Sequence, residues 1–197
     1  MPDSQELTKL LKDQAQQLGF VHAGVCAAIQ PEGVSQLWDW LKRGYGGEMD
    51  YFSQRVGAYE HPDGVLLGTR SLLLLAFPYR SSEPVDVQPG MGKISRYAWG
   101  TADYHDLIHK RLKQLVRLLK QTVPGAKARG VVDSAPLLER EFAQLAGIGW
   151  RGKHTLLIHR QMGSYFFLAC LLTDQILTYD QPFQYDHCGS CRACLDA

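Results

Sequence analysis

The chain closes on "YDHCGSCRACLDA", which sets Cys188, Cys191 and Cys194 at C-x2-C-x2-C spacing. Thiolates three residues apart on a short loop can wrap an iron–sulfur cube, and the bacterial ferredoxin run is C-x2-C-x2-C-x3-C-P. The three cysteines fill its first three positions and "LDA" fills the x3, so the polypeptide reads as cut one residue before the motif closes. One alternative is zinc held by three thiolates and a histidine. Against it, His187 abuts Cys188, and adjacent residues reach one tetrahedral ion poorly. The other alternative is an idle cysteine-rich tail.

A second candidate is "VVDSAPLLERE", where Asp133 stands between an expected strand and an expected helix. Open α/β sheets put ligand-facing groups at such junctions. A carboxyl there can serve as a general acid once its surroundings raise its pKa. Equally, Asp133 or Ser134 could do no more than cap the following helix, with Glu139 and Arg140 a solvated ion-pairing stretch. "GIGWRGKHTLLIH" reads as a glycine-rich loop that lets the backbone approach a cofactor, although its lysine or histidine alone is weak evidence. "SRYAWGTADYH" gathers Arg96, Tyr97, Trp99, Tyr104 and His105 around a glycine. That mixture suits stacking on a flat ligand or a nucleobase, and also suits an ordinary strand-to-helix turn, the preferred reading of the segment alone. No histidine metal site is expected from the seven histidines.

The elements that must position these groups follow from patterning. Asp3 and Glu6 form a capping box for a helix running to Gly19. "FVHAGVC" is expected as a strand, "SQLWDWLKR" as a helix ending at Gly44, and "GYGGEMDYFSQR" as a loop. "SLLLLAFPY" is a buried strand closed by Pro78, "SSEPVDVQPGMG" a surface loop, and "KISRYAW" a further strand. Asp103 caps a long helix with Ile108, Leu112, Leu115, Val116 and Leu119 on one face and Lys110, Lys113, Arg117 and Lys120 on the other. That basic face could track phosphates, but such runs are more often simply solvated. "KARGVV" is a strand, "PLLEREFAQLAG" a helix with proline in its first turn, and "TLLIH" and "SYFFLACLL" a hairpin joined by "RQMG". Helices alternating with strands predict an α/β (α+β) sandwich with a mixed sheet.

Composition narrows the function classes. The 197 residues are 45% hydrophobic and 21% charged, with a formal net charge of +1. No global basic field advertises nucleic acid. Five cysteines is an odd number, with Cys26 and Cys170 inside apolar segments, so a disulfide framework is not expected. The N-terminus lacks the basic and apolar regions of a signal peptide, and no apolar run spans a bilayer. A cytoplasmic protein that does not engage a membrane is expected.

Taken in order, "GEMDYF", "RYAWGTADYH", "VDSAPLLERE", "AGIGWRGKHTLLI", "GSYFFLACLLTD" and "CGSCRAC" resemble the epoxyqueuosine reductases over nearly the whole chain. That family reduces epoxyqueuosine to queuosine at the wobble position of tRNA, using cobalamin and two [4Fe–4S] clusters. The resemblance implies a cobalamin-binding α/β domain over residues 1–180, similar to that of reductive dehalogenases. It implies the truncated start of a ferredoxin-like 4Fe–4S domain over 181–197. By the same resemblance Asp133 matches the proton donor and a cobalamin-lining residue. Arg96, Lys153, His154, Thr155, Leu157 and Ile158 match cobalamin-lining segments. Tyr104 and Arg140 would face the substrate, and Cys188, Cys191 and Cys194 match ligands of the first cluster. It implies tRNA carrying epoxyqueuosine and an unidentified electron donor as partners of a monomer. With three cysteine ligands, the isolated chain is expected neither to hold both clusters nor to turn over. "RVGAYEHPDGVLLGTRS" departs from the family's usual basic, proline-containing version. Two rivals are a related corrinoid or iron–sulfur redox protein that does not act on tRNA, and a non-catalytic module with structural zinc.

Overall fold

The computed structural model describes residues 2–80, 82–84, 86 and 88–196. Helix α1 (Ser4–Gln17) opens on the expected capping box: Asp3 Oδ1 accepts from the Glu6 amide at 2.8 Å, and the Asp3 amide donates to Glu6 Oε2 at 3.3 Å. Strand β1 (His22–Ala27) follows, then helices α2 (Gly33–Lys42) and α3 (Asp50–Tyr59) and strand β2 (Ser71–Pro78). Helix α4 (Tyr104–Thr122), strand β3 (Ala128–Val132), helix α5 (Glu139–Leu145), the short β4 (Trp150–Arg151) and β5 (Leu157–Ile158), and β6 (Phe166–Thr173) complete the order.

The main sheet runs β1-β2-β6-β3, and β4 pairs separately with β5. Alternation along the central strands divides the core. Leu73, Leu75, Ala169 and Leu171 face α1 and α4, where they meet Leu7, Leu11, Ile108, Leu112, Leu115 and Leu119. Leu72, Leu74, Cys170 and Leu172 face the opposite side, against Phe142, Ala143 and Ala146 of and just beyond α5. Both faces of β2 are therefore dry, which is why its sequence is a continuous apolar run. Helix α5 lies so close to β1 that a Cβ on Gly24 would collide with the Ala146 carbonyl.

The layered α+β class holds, but every strand pairing is antiparallel rather than mixed. Ala27 pairs with Ser71, so α2 and α3 are an excursion that leaves and rejoins one end of the sheet, with no crossover. Four local expectations also change. "DYFSQR" is helical in α3, a helix with no fully buried residue. "KISRYAW" forms no strand; Arg96–Ala98 is a 3-10 turn. Helix α5 begins at Glu139, beyond Pro136. The "TLLIH" and "SYFFLACLL" segments make no hairpin, because β6 inserts between β2 and β3 while β5 takes β4 as its partner. The "RQMG" turn closes on itself through a His159–Gly163 bridge. No helix of the described residues is long and apolar enough to cross a membrane.

Candidate active site

Where β2 ends, β3 ends and β6 begins, a cleft of about 1480 Å³ opens at one end of the sheet. Its wall includes the aromatic rings of Tyr79, Tyr97, Trp99, Tyr165 and Phe167, which makes it wide and largely apolar.

Asp133 is the first residue past β3 and sits at φ 60, in the left-handed region that a non-glycine residue occupies at a cost of about 1 kcal/mol or more. The Ser134 amide donates back to the Val132 carbonyl at 2.6 Å, tightening the turn. Its carboxylate Oδ2 accepts from the Tyr104 hydroxyl at 2.8 Å and lies 3.4 Å from His105 Nε2. The Tyr104 ring is clamped in parallel on Phe167, centroids 3.9 Å apart, so β6 sets the height at which α4 presents that hydroxyl. Burial, then the bond to Asp133, push the Tyr104 phenol well above its usual range, so it donates and stays neutral. His105 Nδ1 lies 2.8 Å from Asp103 Oδ1, placing the imidazole between two carboxylates. Bonds from His105 hold Asp103 below the usual carboxylate range. Asp133 caps no helix, since the residue preceding α5 is Leu138 and lends no side-chain bond.

Arg96 is drawn under two rings, 4.9 Å from the Tyr165 centroid and 5.5 Å from that of Trp99. Its Nη1 is enclosed and unpartnered. Arg140 lines the cleft and donates from Nη1 to the Thr155 carbonyl at 2.7 Å; Thr155, at φ 71, is the second non-glycine residue in the left-handed region. Leu157 is in the wall, and His154 Nε2 lies 3.1 Å from Ser164 Oγ, itself a wall residue. Arg96, Tyr104, Asp133, Arg140 and Leu157 thus share one cleft. Lys153, His154, Thr155 and Ile158 stand outside its wall. Ile158 pairs with Trp150, and Lys153 Nζ turns to the cysteine loop, donating to the carbonyls of Gly189 at 2.6 Å and Cys191 at 2.9 Å.

Glu139 is not a solvated residue. It lines the cleft, its Oε1 is enclosed without a partner, and burial, reinforced by Asp133, pushes its carboxyl up to about 8. The sequence reading also missed Tyr79, Tyr165 and Phe167 as cleft residues, although aromatics bunched in "FPY" and "SYFF" at strand ends were the available signal. Cys26 and Cys170 are buried, with thiols pushed up, to about 12 for Cys26, as expected of inert core residues. Cys188 is half-buried, and Cys191 and Cys194 are exposed. Among the described residues, no three His, Cys, Asp or Glu side chains converge closely enough to hold a single metal ion.

Residues 60–134 match the family described as epoxyqueuosine reductase QueG, DUF1730. Over 191 residues the chain is 38% identical to the epoxyqueuosine reductase of Cyclobacterium marinum, covering 96% of this chain and 61% of that protein. It is 40% identical to the Pseudomonas aeruginosa enzyme, covering 99% and 55%, and 37% identical to that of Escherichia coli, covering 98% and 52%. The chain spans roughly half to three-fifths of the length of these relatives. A Bacillus subtilis epoxyqueuosine reductase, solved with its catalytic aspartate loop swung out of the active site, superposes with a TM-score of 0.83 at 28% identity, covering 97% of this chain and 51% of that one. An epoxyqueuosine reductase solved with an epoxyqueuosine-modified tRNA-Tyr stem loop gives 0.80 at 27%, with the same coverage. A reductive dehalogenase shares the fold alone, at 19% identity and a TM-score of 0.58 over the whole chain and 24% of its own length. In sequence and in fold, therefore, this chain is similar to the epoxyqueuosine reductases along nearly its whole length.

Proposed function

We propose that this chain carries the substrate cleft of an epoxyqueuosine reductase, acting on epoxyqueuosine in tRNA, with Asp133 as the acid that protonates the departing epoxide oxygen. The observation that carries the reading is the Tyr104–Asp133 pair in the cleft, because opening an epoxide needs a proton delivered to oxygen. Asp133 is 63% exposed on the side chain, so it is open to a substrate filling the cleft. Tyr104 orients it from below, and Arg140 anchors the loop opposite.

The cleft fits a corrinoid on three counts: its breadth, its aromatic wall and the enclosed, unpartnered Arg96 Nη1. Arg96 and Leu157 would hold that group, which supplies a reducing cobalt centre. Arg96 supplies a cation and a spare donor, and the rings exclude water from the face on which the substrate stacks. Cys188, Cys191 and Cys194 would offer three thiolates to an iron–sulfur cluster, which would supply single-electron chemistry. A cytoplasmic monomer suits a tRNA partner.

The test is an anaerobic titration with hydroxocobalamin, read by visible absorption and by co-elution. Saturable binding that Arg96→Ala weakens roughly tenfold, the effect of losing about 1.4 kcal/mol, is expected. No binding by the folded chain overturns the corrinoid part of the reading. With epoxyqueuosine stem loop and reductant, Asp133→Asn should lower turnover by roughly a hundredfold or more. Unchanged turnover would remove Asp133 from the chemistry.

A further inference from the structure

Glu139 is a half-buried acid whose Oε1 is enclosed without a structural partner. Glu141, two residues along the same helix, accepts from the amides of Glu32 at 2.6 Å and Gly33 at 3.0 Å, so its burial is compensated. Glu139 Oε1 is as enclosed but receives no hydrogen bond, an arrangement that destabilises a fold unless something else retains it. Its side chain stands in the cleft wall together with Asp133 and Arg140.

Reduction of an epoxide to an alkene breaks two carbon–oxygen bonds and releases the oxygen as water. It consumes two electrons and two protons, and one aspartic acid carries one proton. Building on the function proposed above, we propose that Glu139 is the second carboxyl of the reaction, a proton reservoir that recharges Asp133 after Asp133 has protonated the departing oxygen. The first proton passes from Asp133 to the oxygen as the first carbon–oxygen bond breaks. The second passes from Glu139 across cleft water to the Asp133 carboxylate and on to the oxygen, which leaves as water. The two electrons would be supplied by the reduced corrinoid and iron–sulfur groups of the proposed function. Solvent then reprotonates Glu139.

The electrostatics suit a reservoir. A carboxyl that faces a second carboxylate across one cleft is favoured in its neutral form, so Glu139 keeps its proton until one is drawn toward Asp133. Among the described residues, the groups that bear on Glu139 are its own backbone amide, which favours the charged form, and four side chains. Asp133 on the β3–α5 loop favours its neutral form, and Arg140 on α5 opposes this more weakly. The Tyr59 phenol of α3 and the Cys170 thiol of β6 also feel Glu139, and both are pushed up and neutral.

The isosteric Glu139→Gln variant tests the proposal in two ways. The first needs no cofactor or substrate. An infrared pH titration of the chain should show a protonated-carboxyl band at pH 7 that fades near pH 8 and is missing from Glu139→Gln. If the two spectra coincide, the residue is ionised at neutrality and the proposal fails. The second is the pH dependence of single turnover on cofactor-loaded protein with epoxyqueuosine stem loop. Glu139→Gln should slow it roughly tenfold at neutral pH and abolish the fall above pH 8, whereas Glu139→Asp should regain part of the rate. An unchanged profile in Glu139→Gln, alongside an inactive Asp133→Asn, overturns the reservoir and leaves the proposed function standing. Full activity in Asp133→Asn removes the proposed acid itself.

Discussion

Glu141 and Glu139 stand two residues apart on α5, the first buried and the second half-buried, and their surroundings could hardly differ more. Glu141 points to the start of α2, where two backbone amides that a helix leaves unpaired close on its two oxygens. Glu139 points into the cleft, where its enclosed oxygen meets no donor. One carboxylate holds a helix in place. The other is kept at the edge of instability beside the residue that carries the proposed chemistry. The difference separates the part of the molecule that maintains the fold from the part that is strained for use. The second part also holds Asp133 and Thr155, the two left-handed non-glycine residues among the described residues, and the unpartnered Arg96 Nη1.

The contrast is sharpest under substitution. Glu141→Ala orphans two amides at the α2 entrance and should cost about 3 kcal/mol, judged from hydrogen bonds to charged groups. Urea unfolding reads it as a lower midpoint with an unchanged slope. A loss no larger than that of Glu139→Ala would erase the distinction.

Glu139→Gln should act in the opposite sense. The folded carboxyl is raised from its ordinary 4.5 to about 8, so between those values the native state binds a proton that the unfolded chain has released. Stability contributed by Glu139 is therefore complete below pH 4.5 and is lost as pH climbs toward 8. The variant should flatten that decline, unfolding at higher urea than the parent at pH 8 by about 2 kcal/mol or more and differing little at pH 5. A parent whose stability does not fall across this window would place Glu139 among ordinary ionised residues.

Tyr104→Phe comes next. It removes the hydroxyl that holds Asp133 while keeping the ring on Phe167, so about 1 kcal/mol of stability is the expected loss. Amide exchange should accelerate at Ser134 and Ala135 and stay unchanged in β2, because the loop depends on that bond and the strand does not.

How much of this contrast could be read in the sequence depends on whether the signal is local. The Asp3–Glu6 capping box, the apolar stripe of α4 and the uninterrupted run of β2 are local patterns, and each folds as read. The hairpin misled because "TLLIH" and "SYFFLACLL" are neighbours in the chain. An eight-residue strand buries more by entering between β2 and β3 than by pairing with the two-residue β5. The mixed sheet misled because α2 and α3 are an excursion at one end, and because β6 enters between β2 and β3, so the strands that the α4 crossover joins never pair. Asp133 was visible from its place after a strand. Glu139 was passed over, although it stands three, four and seven residues before Phe142, Ala143 and Ala146 of the buried face, because a carboxylate beside an arginine reads first as a solvated charge.

The cysteine loop offers the smallest effect and a different kind of comparison. It is joined to the glycine-rich loop by Lys153, whose ammonium takes two carbonyls, those of Gly189 and Cys191. The contact is exposed, so solvent competes and Lys153→Met should change global stability by no more than about 1 kcal/mol. Its consequence should be local. With that tie removed, proteolysis within "HCGSCRAC" should quicken while the protected amides of β2 and β6 stay protected. Lys153, matched by resemblance to a cobalamin-lining segment, holds its ammonium against the backbone of the cysteine loop. A cation there would favour electron arrival by drawing the reduced state of a cluster bound by Cys188, Cys191 and Cys194 to higher potential. Reconstituted with iron and sulfide, Lys153→Met should then show a lower reduction potential than the parent. Equal potentials together with unchanged proteolysis would reduce the contact to an incidental surface bond.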